Sequence, residues 1–176
     1  FTPGNEVELC GHATLASAYV ILNHYERNRK QVKFHTLSGT LTVQRNGELY
    51  EMDFPTYELQ EIPVTDDMEK AFGVRPVKAV LGLDLICVFE SADIVKNMNP
   101  KQELLRGIEG RIQNATALGT ETDCVSRSFC PKLSIAEDPV CGSAHCQIAA
   151  YWANELKKKD ILAYQASKRG GYLHCT

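Results

Sequence analysis

The sequence predicts an α+β fold made of two related halves, and three observations carry that prediction. The stretch Glu137-Asp138-Pro139-Val140-Cys141-Gly142-Ser143-Ala144-His145-Cys146 gathers carboxylates, thiols, a hydroxyl and an imidazole directly before a run at helical spacing, Ala144, Ile148, Trp152 and Leu156. The same order of acid, Cys-Gly and Ala stands at Glu6, Cys10-Gly11 and Ala13, before Leu15, Ala18, Tyr19 and Leu22. The segments between are short, apolar or alternating, and bounded by turn residues, as strands are.

A constant shift of 131 positions matches Glu6 to Glu137, Cys10 to Cys141, Gly11 to Gly142, Ala13 to Ala144 and Ala18 to Ala149, and sets His12 on Ser143. One further residue of shift matches Gly39-Thr40-Leu41 to Gly171-Tyr172-Leu173. This reads as an internal duplication.

Taken in order, residues 1–9 read as a strand fragment and loop, and residues 13–25 as a helix. Val32 to Thr36 alternates like a strand, Ser38-Gly39 is a turn, and Leu41 to Gln44 and Leu49 to Phe54 form a hairpin across Arg45-Asn46-Gly47-Glu48. Pro55 to Asp67 reads as a connection and holds the expected boundary, with residues 1–62 part of a first repeat domain and 63–176 most of a second. Asp66 to Phe72 is a short helix stopped by Gly73. Val77 to Leu81 and Leu85 to Glu90 pair as strands across Gly82, and short helices start at Ser91 and Asn99-Pro100. Arg111 to Leu118 and Cys124 to Phe129 are strands joined by a turn at Gly119 to Asp123. Pro131 to Ile135 leads into the ten-residue stretch. Pro139 blocks a helix ahead of it, Ser143 is a good N-cap, and the helix is predicted over 143–157. A strand near Ile161 to Ala166 and a turn at Gly170-Gly171 follow. Both helices carry apolar residues too far round for a surface position, which predicts buried central helices. Their N-termini offer free N–H groups and the positive end of the helix dipole, which suit a carboxylate or phosphate.

The 176 residues are 44% hydrophobic and 23% charged, ordinary for a globular chain, and a net charge of −3 makes no case for nucleic acid or an anionic membrane. Lys157-Lys158-Lys159 fits a helix C-terminal charge cluster. No apolar run is long enough to span a bilayer and no signal-peptide pattern opens the chain. Seven cysteines, at 10, 87, 124, 130, 141, 146 and 175, include no C-x-x-C pair. Neither a zinc pattern nor a disulfide framework results, so reduced, mostly buried thiols and a cytoplasmic setting are expected.

Three blocks resemble the PhzF-like (phenazine biosynthesis-like) isomerase family. They are Leu9-Cys10-Gly11-His12-Ala13-Thr14-Leu15-Ala16-Ser17-Ala18; Ser126-Arg127 to Pro131-Lys132 with Glu137-Asp138-Pro139-Val140 and Gly142-Ser143-Ala144-His145-Cys146; and Ser167-Lys168-Arg169-Gly170-Gly171. The resemblance implies a diaminopimelate epimerase-like fold, in which two similar domains each wrap a barrel-like sheet around a central helix with the site between them. It implies a proton shift on a small carboxylate-bearing substrate, with no metal and no organic cofactor, and a homodimer is allowed for. It places His12, Asp138 and Ser143 at family site positions, with Gly11, Gly142 and Ala144 beside them on the substrate. The acid/base Glu of the family lies upstream of the first signature, and so is expected before Phe1. Each half also lacks what the other has. Only nine residues precede Cys10, whereas roughly sixty of strand and helix precede Cys141, and five follow Gly171. A piece cut at both ends, with no stable fold of its own, is the expectation.

Cys141 departs from the family's usual Thr. With Cys10 it matches the two bases of the epimerase and racemase relatives. A thiol at a helix N-terminus can fall from a pKa of about 8.5 to roughly 3.5–7.5. Two readings stand: a two-cysteine epimerase or racemase using Cys10 and Cys141, or an isomerase in which both pack beside the site. A third is a catalytically weak partner-binding protein. His145 could point inward, while His24, His35 and His174 read as surface or strand residues. Arg127 could pair a substrate carboxylate or sit exposed on a strand. Tyr151-Trp152 reads as core.

Overall fold

Capping decides where several helices begin. Thr65 accepts a hydrogen bond from Met68 N (3.2 Å) and so opens the helix Asp66–Phe72, which Gly73 closes at φ +80°. Ser91 does the same for the next helix through Ile94 N (3.3 Å). The computed structural model describes residues 10–37, 39–54 and 56–176. The strand fragment expected at 1–9, with Glu6, and the expected turn residue Ser38 lie outside them.

The chain divides into two units, Phe1–Pro55 and Thr56–Thr176. In the first, α1 (Gly11–Val20) runs on into a π-helical turn, Ile21–Tyr25. Three antiparallel strands follow in the order β1 (Gln31–Thr36), β2 (Gly39–Asn46) and β3 (Leu49–Met52). Asn46 pairs with Leu49, so Gly47-Glu48 is a two-residue loop, and Gly47 supplies the φ of +61° its first position needs. The small core of this unit holds Ala18, Leu22, Leu41 and Val43. Arg45 braces it by donating from Nη2 to Leu22 O (2.6 Å) and Asn23 Oδ1 (3.0 Å).

In the second unit β4 (Gln60–Ile62), α2 (Asp66–Phe72), β5 (Lys78–Leu81), β6 (Leu85–Val88), α3 (Ala92–Asn97), α4 (Gln102–Arg106), β7 (Gln113–Leu118), β8 (Cys124–Cys130), β9 (Ile135–Asp138), α5 (Gly142–Leu156), β10 (Ile161–Gln165) and β11 (Gly171–Cys175) follow one another. Eight strands form one mixed sheet, ordered β11-β10-β8-β7-β6-β5-β4, with β9 on β8. The β6/β7 and β8/β10 pairs are parallel and the rest antiparallel. Alternation sorts the sheet's two faces. Leu85, Cys87, Ala115, Ala117, Val125 and Phe129 pack with Phe72, Val95 and Leu105 of the short helices. Ile86, Val88, Cys124 and Cys130 pack with Ala144, Ile148 and Trp152 of α5. α5 is buried on several sides, as expected.

Several expectations need correction. α1 is not a buried central helix among the described residues. Only Gly11 and Ala18 are buried in it, and Tyr19 and Val20 are 51% and 44% exposed, because three strands cover one side of a helix. Cys141 rather than Ser143 is the N-cap of α5, which begins at Gly142. Residues 60–62 pair with β5, so they join the second sheet. The path of paired strands ends at β11 and β4, with no pairing between these ends among the described residues. Arg127 is neither exposed nor free. It donates to both Glu137 oxygens (2.8 Å each) and to Met98 O (2.6 Å).

Candidate active site

The two signatures produce the same local geometry. Cys10 and Cys141 each hold an extended backbone as N-cap, neither makes a side-chain capping bond, and neither first turn contains an acidic residue. A Ser or Asp N-cap would have satisfied one of the first N–H groups itself. A cysteine leaves those donors to whatever approaches.

In the first unit, Cys10 Sγ lies 3.7 Å from His12 Nε2, with His12 exposed on the first turn of α1. Gly11 is buried, and a Cβ there would meet the Phe54 ring at 3.4 Å. In the second unit, Asp138 ends β9 half-buried, and its Oδ1 accepts from Val140 N (3.0 Å), which turns the chain toward α5. Gly142 and Ser143 are half-buried at the helix mouth, and Cys141 and Ala144 lie under it. Ser143 Oγ is 3.5 Å from Cys141 Sγ.

Four residues that the sequence did not single out hold this mouth in place. Gln165, fully buried, accepts from Cys141 N (2.7 Å) and donates to Asp138 O (2.6 Å), clamping both ends of the turn. Asp84, also fully buried, accepts from Arg111 Nε (3.0 Å) and Nη2 (3.1 Å), from Gln147 Nε2 (3.0 Å) and from Ile112 N (3.2 Å). Arg111 Nη2 also donates to Ser143 Oγ (3.2 Å). A carboxylate inside the apolar run Leu83-Asp84-Leu85-Ile86 was the one legible signal, since an acid is buried only with partners.

His145 does point inward. Its Nδ1–H donates to Cys141 O (2.7 Å), because a carbonyl can only accept, so Nε2 accepts from the Ser126 hydroxyl (3.0 Å). Burial lowers its pKa to about 4, so it is a neutral brace under the helix rather than a proton carrier. Burial also pushes the Cys141 thiol up, with Asp138 adding to the rise and the Ser143 hydrogen bond opposing it. At Cys141, burial thus works against the lowered thiol that the two-cysteine reading calls for. Cys124 and Cys146 are pushed up to about 12 by burial, and Cys87 and Cys130 rise for the same cause. No group of three metal-ligating side chains occurs among the described residues, nor does a helix long and apolar enough to cross a membrane.

The third block packs on the second. Ser167 Oγ donates to Pro139 O (2.6 Å) and accepts from Gly170 N (3.1 Å). Gly171 gives Val140 room, since a Cβ there would stand 2.5 Å from Val140 Cγ2. Tyr151 and Trp152 are core, and Trp152 Nε1 donates to Thr116 Oγ1 (2.9 Å).

The family model for phenazine biosynthesis-like proteins (PhzC-PhzF) matches residues 1–176. An uncharacterized isomerase of Pseudomonas aeruginosa is 41% identical over 176 residues, covering 99% of this chain and 67% of the relative. Among solved structures, a PhzF-family phenazine biosynthesis protein of Enterococcus faecalis superposes with a TM-score of 0.95 at 42% identity, over 99% of this chain and 68% of that one. A predicted epimerase of Pseudomonas aeruginosa shares the fold at 19% identity, with a TM-score of 0.66 over 99% of this chain and 69% of that one.

Proposed function

The chain belongs to the PhzC-PhzF, phenazine biosynthesis-like family, and from that premise we propose that it serves an isomerase moving a proton between neighbouring atoms of a small carboxylate-bearing substrate. The observation that carries the reading is the pair of helix mouths capped by cysteine, with first-turn N–H groups left to receive an anion. In the second unit the N–H groups around Gly142-Ser143-Ala144 would seat the substrate carboxylate, with Asp138 beside them as a carboxylate for proton transfer; in the first unit Gly11 and His12 offer an N–H group and an imidazole of the matching kinds. No metal or organic cofactor enters the scheme, and the substrate is the one small-molecule partner it needs.

Protein expressed from its intact gene, incubated in deuterium oxide with a panel of small unsaturated and α-substituted acids, tests this. Deuterium should enter one acid at carbon, and both His12→Ala and Asp138→Asn should slow entry by about a hundredfold or more. Exchange abolished by Cys10→Ala and Cys141→Thr while His12→Ala remains active would replace this scheme with the two-thiol one. No exchange with any acid, together with a pulled-down partner whose binding survives both substitutions, would leave a binding protein.

A further inference from the structure

We infer that Arg111, thirty residues ahead of Cys141, belongs to the site as a positioning residue that aims the Ser143 hydroxyl hydrogen at Cys141 Sγ. This goes beyond the proposed reaction and holds whichever group moves the proton. Arginine has donors only, so in the 3.2 Å contact from Arg111 Nη2 the Ser143 oxygen accepts. A serine hydroxyl has one hydrogen. Among the described residues its other partner is Cys141 Sγ at 3.5 Å, so with Arg111 occupying one lone pair the hydrogen is free to point to the sulfur, or to an acceptor on a ligand at the same mouth.

The guanidinium cannot turn away, because its Nε and Nη2 edge is forked onto the buried Asp84 carboxylate. Asp84 is itself fixed by Gln147, whose Oε1 accepts from Asp84 N (3.1 Å) while its Nε2 donates to Oδ2. Gly82 leaves the room this requires, since a Cβ there would collide with Gln147 Oε1. The chain Asp84, Arg111, Ser143, Cys141 thus gives the sulfur a donor. A hydrogen bond to a thiolate favours the charged form. It works against burial and against the charges that also face Cys141. These are Asp138 at the end of β9 and Asp84, with the thiols of Cys130 on β8 and Cys146 on α5 nearby and the Arg111 cation on the opposite side of the balance.

Alkylation of Cys141 by iodoacetamide between pH 7 and 9.5, followed by peptide mass spectrometry on the native protein, reads this directly. The thiolate fraction sets the pH profile, and access scales the rate without moving the profile. Ser143→Ala should move the profile up by about half to one pH unit, a three- to tenfold slowing at pH 8. Arg111→Lys, which keeps the charge and loses the fork, should move it the same way. In a Ser143→Ala background, Arg111→Lys should add nothing. Equal shifts from Arg111→Lys with and without Ser143, or no shift from either single change, would overturn the inference. Should Arg111→Lys fail to fold by circular dichroism, the uncharged pair Asp84→Asn/Arg111→Gln takes its place with the same two outcomes.

Discussion

At Cys10 and at Cys141 the backbone passes from extended to helical in the same way, with φ −134° and ψ 92° at the first and φ −97° and ψ 98° at the second. Beyond that point the two regions part. α5 runs fifteen residues and buries Ala144, His145, Gln147, Ile148, Ala149, Tyr151 and Trp152. α1 runs ten and buries Gly11 and Ala18. The signature therefore sets where a helix begins and what its mouth presents, while the sheet beside it sets how much of the helix leaves water. Eight strands give α5 a broad apolar face and three give α1 a narrow one. The polar bracing differs in parallel. Gln165, His145, Ser126, Asp84 and Arg111 fix the turn before α5, and the exposed Cys10–His12 pair has no such lattice among the described residues.

The sharpest break in this contrast comes from the buried ion pair. Arg111→Met strands the Asp84 carboxylate in the second unit's interior and should cost about 3–5 kcal/mol by urea unfolding. Asp84→Asn/Arg111→Gln should cost distinctly less. Equal losses would mean that charge is not what the pair contributes.

Next is the difference between the helices themselves. Ile148→Ala on α5 removes a fully buried side chain and should cost about 2–5 kcal/mol. Val20→Ala on α1 should stay within about 0.5 kcal/mol. Comparable midpoint shifts in denaturant would show that α1 is buried in solution.

His145 sharpens the comparison through pH. Its pKa is about 4 in the fold against an ordinary value of 6.5, so between those values the unfolded chain binds a proton that the folded chain refuses. Stability therefore rises with pH through this window and is lost as pH falls through it, by at most about 1.4 kcal/mol per pH unit for one group. His145→Gln should flatten that part of the dependence when denaturation midpoints at pH 4.5 and 7.5 are compared. A slope unchanged from the parent would place the effect in the carboxylates.

The last comparison concerns the duplicated glycines. Gly39 needs its φ of +97° and has open space where a Cβ would go, whereas Gly171 has no positive φ and is crowded by Val140. Gly39→Ala should cost about 1–2 kcal/mol through backbone strain, and Gly39→Asn less, since Asn tolerates positive φ better. Gly171→Ala and Gly171→Asn should each cost about 1–3 kcal/mol through overpacking, the larger residue more. The opposite ranking at either site, by thermal melting, would remove the assigned cause.

What was legible in the sequence was local. The helix start at Ser91, the stop at Gly73 and the hairpin loop at Gly47-Glu48 each depend on atoms within about four residues, so residue type alone reports them, although the cap of α5 fell on Cys141 rather than on Ser143. Three strands escaped notice for the complementary reason. β4, β9 and β11 are short and polar or half-buried, and they are strands because β5, β8 and β10 offer them an edge. The site divides along the same line. Cys141, Ser143 and Asp138 sit in one recognisable run, but Asp84 meets Arg111 across 27 residues and Gln147 across 63, and Gln165 reaches Cys141 across 24. The sequence by itself determined the helix mouths, since a cap is a contact between near neighbours. The tertiary structure alone decided which mouth is braced and which helix is buried, because both depend on desolvating groups that only the folded sheet brings together.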